Sequence, residues 1–274
     1  MDSQQLLELL RQQIRTGRLD LPMPPETAAR VLSVCRNPDA GPMELARLIE
    51  RDPALMGNVL RIANSAAYAG SERIVSLQHA VARLGSRVVS EIAVAAVVRA
   101  AVFAVPRYRD EVLSVWSVSI VAAGWAREIA RLCRSNVEGA YLAGLLHAVG
   151  RPVLLHVISK MEDQRSQLFP HDLVLEVVDQ LHPEAGAELA RRWRFPDWVA
   201  VAIARHREPS RAAQYCDEVL ITALAEQLAR WTLDPAAGRL DLTGNTAAAG
   251  LRLYSEDLEA LYALREQMAS AIAA

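Results

Sequence analysis

Six histidines, three cysteines and a large excess of arginine over lysine carry most of the reactive chemistry in this 274-residue sequence. A neutral imidazole can ligate a transition metal or exchange a proton, and histidine's ordinary pKa makes both available near pH 7. His147 lies in the apolar run Tyr141 to Val149, within Leu145-Leu146-His147-Ala148-Val149-Gly150-Arg151, where a buried ring is expected to bond a backbone carbonyl. His182 directly precedes Pro183 and reads as standing at a helix start, where it can cap the turn. His206 follows Ile203-Ala204-Arg205 near a helix end, a place where the dipole favours imidazolium. His79, His156 and His171 join no pattern, and no spacing among the histidines is diagnostic of a metal by itself. Cys35, Cys133 and Cys216 are too scattered for a zinc ribbon or redox pair and are expected as buried, reduced thiols.

Lys160 is the only lysine, so arginine supplies every other basic side chain. Arginine grips carboxylate and phosphate with paired hydrogen bonds. The arginines nevertheless run from Arg11 to Arg265 and are balanced by 32 acids, and the net charge of −2 argues against general nucleic-acid binding. Arg191, Arg192 and Arg194, grouped around Trp193, form the candidate surface for a partner protein, since Arg and Trp are enriched at binding hot spots. Arg205-His206-Arg207 keeps a small anionic ligand in view.

The elements that must position these groups are helices. Strand patterning is scarce, while apolar residues recur at helical spacing, as in Leu6, Leu7, Leu10 and Ile14, and again in Leu45, Leu48 and Ile49. Pro25, Pro42, Pro53 and Pro183 each precede an apolar-periodic run, which places them in first helical turns, with Asp52 as a cap before Pro53. Val105 to Asp110 is the best internal boundary: Pro106 ends one very apolar helix and Asp110 caps the next. The charge-free run Val112 to Ala126 reads as a central helix and is short for a membrane span. Asp234 to Asn245 reads as a loop before a last helix from about Ser255 to Ala271. At 52% apolar content the chain can bury one large core or two joined halves. Its N-terminus lacks the basic start and apolar stretch of a signal peptide, so a cytoplasmic location is expected, with no membrane insertion.

Four ordered segments carry a resemblance to a known family: Leu21-Pro22-Met23-Pro24-Pro25, then Ile49-Glu50-Arg51-Asp52-Pro53-Ala54-Leu55, then Leu60 to Tyr68, then Ile74 to Gly85. In this order they resemble the signatures of the HDOD family, the HD-related output domains of bacterial signalling proteins. The stretch from about Val112 to Leu228 is similar to the HD-like helical half of that domain. Asn64 and Tyr68 invite a recognition role, but satisfying free backbone groups and packing are the stronger expectation, and Gly186-Ala187 reads as close helix packing.

The resemblance implies an all-α, HDOD-type fold with an N-terminal helical half over 1–106, an HD-like half over 107–230, and a loop and C-terminal helix over 231–274. It also implies a site. HD phosphohydrolases hold one or two divalent cations with His and Asp side chains, and their namesake segment reads His-Asp-Ile-Gly-Lys. By this resemblance the family's first His falls on Val118, the His-Asp pair on His147 and Ala148, the later histidines on His182 and His206, and the final Asp on Glu226. Val118 and Ala148 have no lone pair to offer. His147, His182, His206 and Glu226 remain as the conceivable metal ligands, a set that suits zinc better than a magnesium-type centre relying on hard oxygen ligands.

The resemblance therefore implies a regulatory module that binds a signalling protein and catalyses nothing, with no cofactor. The alternatives are a metal-dependent cyclic-nucleotide phosphodiesterase with a reduced site, and a sensor binding a small nucleotide in the relic pocket.

Overall fold

The helical periodicity of the sequence is realised throughout: in the computed structural model, which describes residues 3–22, 30, 42–51, 53–64, 73–102 and 104–270, every regular element is helical. In chain order these are α1 (Ser3–Arg15), α2 (Pro42–Glu50), α3 (Pro53–Ala63), α4 (Leu77–Val102) and α5 (Arg109–Leu132), followed by α6 (Val137–Leu146), α7 (Gly150–Arg165) and α8 (His171–Arg192). Then come α9 (Asp197–Arg205), α10 (Cys216–Leu233), α11 (Thr246–Gly250), α12 (Ser255–Ala263) and α13 (Arg265–Ser270). The contacts gather into two compact units, one of residues 1–22 with 102–261 and the other of 23–101 with 262–274.

In the smaller unit, α2 packs on α3, and Pro42 and Pro53 stand at the first positions of these helices, as expected for residues without an N–H. Asn64 closes α3 by a local hydrogen-bond hub. Its Nδ2 donates to the carbonyls of Leu60 and Ile74, and its Oδ1 accepts from the Ile74 N–H, all at 2.7 Å. The side chain thus has the backbone-satisfying role expected of it. Tyr68, Cys35, Pro25 and the Asp52 cap lie outside the described residues. Gly85 interrupts α4 with φ of +83°, a conformation that glycine adopts without strain.

In the larger unit, the stripe of Leu6, Leu10 and Ile14 is buried, and α1 packs on α8. The unit therefore takes in the N-terminal helix together with the residues after 102. Pro106 opens a single 3₁₀ turn, Pro106–Tyr108, between α4 and α5. Asp110 does not cap α5. The cap position is Tyr108, without a side-chain bond, and Asp110 lies in the first turn, where its charge suits the helix dipole. The expected central helix falls inside α5, which packs on α6 and α10, with Trp125 Nε1 donating to Thr232 Oγ1 at 2.9 Å. Segments Pro106–Leu132 and Gly139–Arg165 are long and apolar enough by composition to cross a membrane, but 50% of the first one's apolar 18-residue window and 78% of the second one's are buried inside the protein, as core helices are.

Three further expectations are corrected. Pro183 does not begin a helix; it sits within α8, twelve residues after His171, so His182 caps no turn and is fully buried. Cys216 is exposed and Cys133 only half-buried, both as free thiols, because they sit at the start of α10 and the end of α5. The last amphipathic stretch is two helices, α12 and α13, preceded by the short α11 that Asn245 caps. Residues 234–245 form no helix or strand, as expected.

Candidate functional site

Four side chains from separate helical segments meet in the larger unit. His147 follows the last residue of α6, His182 lies in the middle of α8, His206 follows the end of α9, and Glu226 projects from α10. All three imidazoles are buried. Close backbone approach fixes the frame: a Cβ on Gly150 would stand 1.9 Å from the His182 carbonyl oxygen, and one on Gly186 would stand 2.8 Å from Ile203 Cγ2. Only glycine lets α7 start against α8 and α8 pass this close to α9, so Gly186 has the packing role expected of it.

Each histidine is oriented by the same device. Nδ1 of His147 bonds the Gly144 carbonyl at 2.6 Å, Nδ1 of His182 bonds that of Asp179 at 2.8 Å, and Nδ1 of His206 bonds that of Ile203 at 2.7 Å. A carbonyl can only accept, so Nδ1 carries the proton in all three rings and Nε2 keeps its lone pair. His147 and His206 achieve this at helix C-termini, where the last carbonyls have no helical donor.

The three Nε2 atoms are buried and without a hydrogen-bond partner. His206 Nε2 faces Glu226 Oε2 at 3.5 Å, and His147 Nε2 faces Glu226 Oε1 at 4.0 Å. The His206 ring lies 5.4 Å from that of His147 and 5.6 Å from that of His182, centre to centre. An unsatisfied buried acceptor costs about 1–3 kcal/mol.

The charges around the cluster are set by burial first. Burial pushes His206 down to about 4 against the attraction of Glu226, and pushes His182 down to about 2 with help from Arg151. It lowers His147 in the same way. The dipole expectation for His206 is thus overturned: desolvation outweighs the helix terminus, and the ring is neutral near pH 7. Burial alone would raise Glu226, yet its carboxyl is held below the usual range by its neighbours. With the imidazoles neutral, the Arg230 guanidinium, 2.7 Å from Oε1, is the charge that keeps Glu226 ionised.

At the rim, Asp179 pairs with Arg151 and, at 2.8 Å, with Arg207, whose Nη1 also donates to the Asp179 carbonyl at 2.9 Å. This bridge is a feature the sequence did not flag. So is Glu162, a buried carboxylate that accepts from Tyr108 Oη at 3.0 Å, from the Phe169 N–H at 2.9 Å and from Arg107 at 3.0 Å.

Val118 and Ala148, on which the resemblance places the absent ligands, also lie in this unit. Ala148 is buried directly after His147, and Val118 is half-buried on α5. Neither offers a donor. Three imidazoles and a single carboxylate are too few donors for a two-ion centre. Three imidazoles and a carboxylate do fit the donor set of one transition-metal ion. Among the described residues, however, no group of three or more His, Cys, Asp or Glu side chains is placed to hold a metal ion. The candidate partner surface is partly reduced: Arg191, Arg192 and Arg194 are exposed, but Trp193 is buried, its Nε1 donating to the Pro22 carbonyl at 3.0 Å.

The chain is thus an all-α helical protein with three buried histidines gathered from the ends of α6 and α9 and the middle of α8. It belongs to the HDOD domain family, whose pattern matches residues 21–209. It is similar in structure to an HDOD domain protein from Geobacter sulfurreducens, with TM-score 0.70 and 21% identity over 99% of this chain and 98% of that one. A protein from Shewanella amazonensis provisionally named a metal-dependent phosphohydrolase gives TM-score 0.70 and 22% identity over 98% of this chain and 99% of that one. One from Marinobacter aquaeolei provisionally named a signal transduction protein gives 0.69 and 26% over 94% of this chain and 61% of that one. A curated relative, an uncharacterized protein from Treponema pallidum, is 26% identical over 77% of this chain, which spans only 42% of that protein's length.

Proposed function

We propose that this protein is a regulatory module of a bacterial signalling pathway that acts by binding a partner protein and hydrolyses no phosphodiester. The observation that carries the proposal is the hydrocarbon at Val118 and Ala148, where a hydrolytic HD centre needs the ligands that hold and bridge its ions. HDOD membership supports a signalling role, as does the likeness to the Marinobacter protein. The exposed arginines Arg191, Arg192 and Arg194 offer a rim for contact, and a specific complex typically buries about 1,200–2,000 Å² in total.

Purified protein incubated with cyclic mononucleotides, cyclic dinucleotides and simple phosphodiesters, in magnesium, manganese, iron or nickel, is expected to match the blank. Turnover that His147→Ala abolishes would overturn the reading. For the partner, a cross-linked complex recovered from the native bacterium should be weakened by charge reversal at Arg191, Arg192 and Arg194 together. It should change by less than about threefold with His147→Ala when that variant stays folded. A folded His147→Ala that loses the partner would instead show that the pocket's occupant gates binding.

A further inference from the structure

We infer that Lys160 on α7, with Arg191, Arg192 and Arg194 at the end of α8, forms a surface that binds an acidic segment of a partner protein, at a spot that the chain's own Asp20 already fills. The inference rests on the regulatory reading above and names the chemistry of the partner.

The spot is built by alternation. Leu19 and Leu21 are 1% and 6% exposed, so the segment that follows α1 turns the Asp20 side chain outward between them. Trp193 Nε1 donates to the Pro22 carbonyl at 3.0 Å and pins this segment beside the end of α8. Lys160 Nζ in turn donates to Asp20 Oδ2 at 2.6 Å. Cations from two helices thus reach one carboxylate: the hydrogen bond from Lys160 does most to hold the Asp20 carboxyl below its usual range, and the Arg192 charge adds to it. His156, one turn before Lys160 on α7, is kept neutral near pH 7 by burial and by the Lys160 charge.

Positive charge is in excess around Asp20. Arg191, Arg192 and Arg194 are all exposed, and Glu188 sets one carboxylate against Arg191 at 3.5 Å. Asp163, three residues after Lys160, is held by Arg107 at 2.6 Å. In a chain of net charge −2 this face reverses the sign of the whole. The Asp20 and Lys160 side chains are 64% and 47% exposed, and ion pairs so exposed contribute little net stability. A segment with several carboxylates therefore displaces Asp20 at small cost and gains the arginine forks beyond it.

Other polyanions fit less well. Single-stranded nucleic acid stacks its bases on exposed aromatic rings, whereas Trp193 and Phe195 are buried. Helices that lie on a lipid surface bury an apolar face in it, and among the described residues no large hydrophobic side chain is exposed on α7 or between Arg191 and Phe195.

Full-length protein is titrated into fluorescein-labelled hexaglutamate, with hexaglutamine as the neutral control, and binding is read by fluorescence anisotropy. Hexaglutamate alone should bind, and its affinity should fall as salt rises. Lys160→Glu with Arg192→Glu should weaken it by more than about tenfold. Asp20→Asn, which removes the resident carboxylate, should tighten it by about threefold. Arg211→Glu and Asp241→Asn, which change charge on other elements, should leave it within about twofold. Should the reversals not fold, Lys160→Met with Arg192→Gln makes the same test. Hexaglutamate that does not bind, control substitutions with equal effects, or tighter binding of polyuridylate or phosphatidylserine vesicles through the same residues would each overturn the inference. If hexaglutamate fails to bind while reversal of Arg191, Arg192 and Arg194 still dissolves the native complex, the acidic segment falls and the regulatory reading stands. Phosphodiester turnover beside intact hexaglutamate binding would remove the non-catalytic reading and leave the surface.

Discussion

Pro183 has no N–H to give to the carbonyl of Asp179, four residues back along α8, and that carbonyl accepts instead from His182 Nδ1 at 2.8 Å and from Arg207 at 2.9 Å. A proline within a helix costs about 3 kcal/mol because it removes one ladder bond and crowds the preceding turn. Here the freed acceptor orients a buried imidazole and receives a rim arginine, so a backbone defect becomes part of the site.

Pro183→Ala restores the competing N–H. The variant is expected to be more stable, by up to about 3 kcal/mol, and to hold His182 less firmly. Nitrogen NMR of the ring should show pure Nδ1–H tautomer in the wild type and a mixture in the variant. An unchanged tautomer would show that the helix interruption has no part in orienting the ring.

The buried imidazoles fix a pH dependence. His206 is pushed down to about 4 and His182 to about 2 in the folded state, while both have an ordinary pKa near 6.5 when unfolded. Below pH about 6.5 the unfolded chain therefore binds protons that the folded one refuses. Stability contributed by the neutral rings is complete above that pH and declines as pH falls toward about 4, by about 1.4 kcal/mol per pH unit for each histidine. The ionised Glu226 is lost only below the ordinary carboxylate range, at more acidic pH. In metal-free protein the urea midpoint should drop between pH 8 and pH 5, and His206→Gln should make the drop shallower. A midpoint that is flat over this interval would contradict buried, neutral rings.

Much of this was legible in the sequence, and for identifiable reasons. The helices followed from apolar spacing, and the ordered segments from Leu21 to Gly85 pointed to the HDOD family that the match over residues 21–209 shows. Proline was the weaker guide. Pro42 and Pro53 start helices, but the same local pattern at Pro183 lies within one, because packing against α7 and α9 holds α8 together across it. The tautomers were beyond reach, since they depend on which carbonyls the helix ends and Pro183 leave free. The dipole argument at His206 failed because burial, a tertiary property, sets its charge. Glu162 and Asp179 gave no sequence signal, their arginine and tyrosine partners lying 28 to 55 residues away along the chain.

Gly150 tests how tightly the frame of the site is drawn. A Cβ there would meet the His182 carbonyl oxygen at 1.9 Å and the Gly186 nitrogen at 2.6 Å, both backbone atoms that cannot swing aside. Gly150→Ala is expected to cost at least about 3 kcal/mol, the upper end of ordinary overpacking. Gly238→Ala is the control: its Cβ would meet nothing within 4 Å, and the change should stay within about 0.5 kcal/mol. Chemical denaturation of the two variants separates the cases, and equal midpoints would mean that α7 and α8 have room to part.

Restoring the absent ligands is the hardest test of how the chain departs from a hydrolytic HD centre. Ala148 is buried, so Ala148→Asp places a carboxylate out of reach of water and should destabilise metal-free protein by about 3 kcal/mol or more. If position 148 faces the histidine cluster, as the alignment implies, the penalty is reversible: a divalent cation that the new carboxylate can reach would neutralise it. Adding Val118→His supplies a further donor from α5. The double variant should therefore regain its melting temperature in manganese and bind one more equivalent of metal than the wild type. If manganese rescues neither stability nor stoichiometry, Val118 and Ala148 do not occupy the positions of the lost ligands, and the argument against hydrolysis loses its footing.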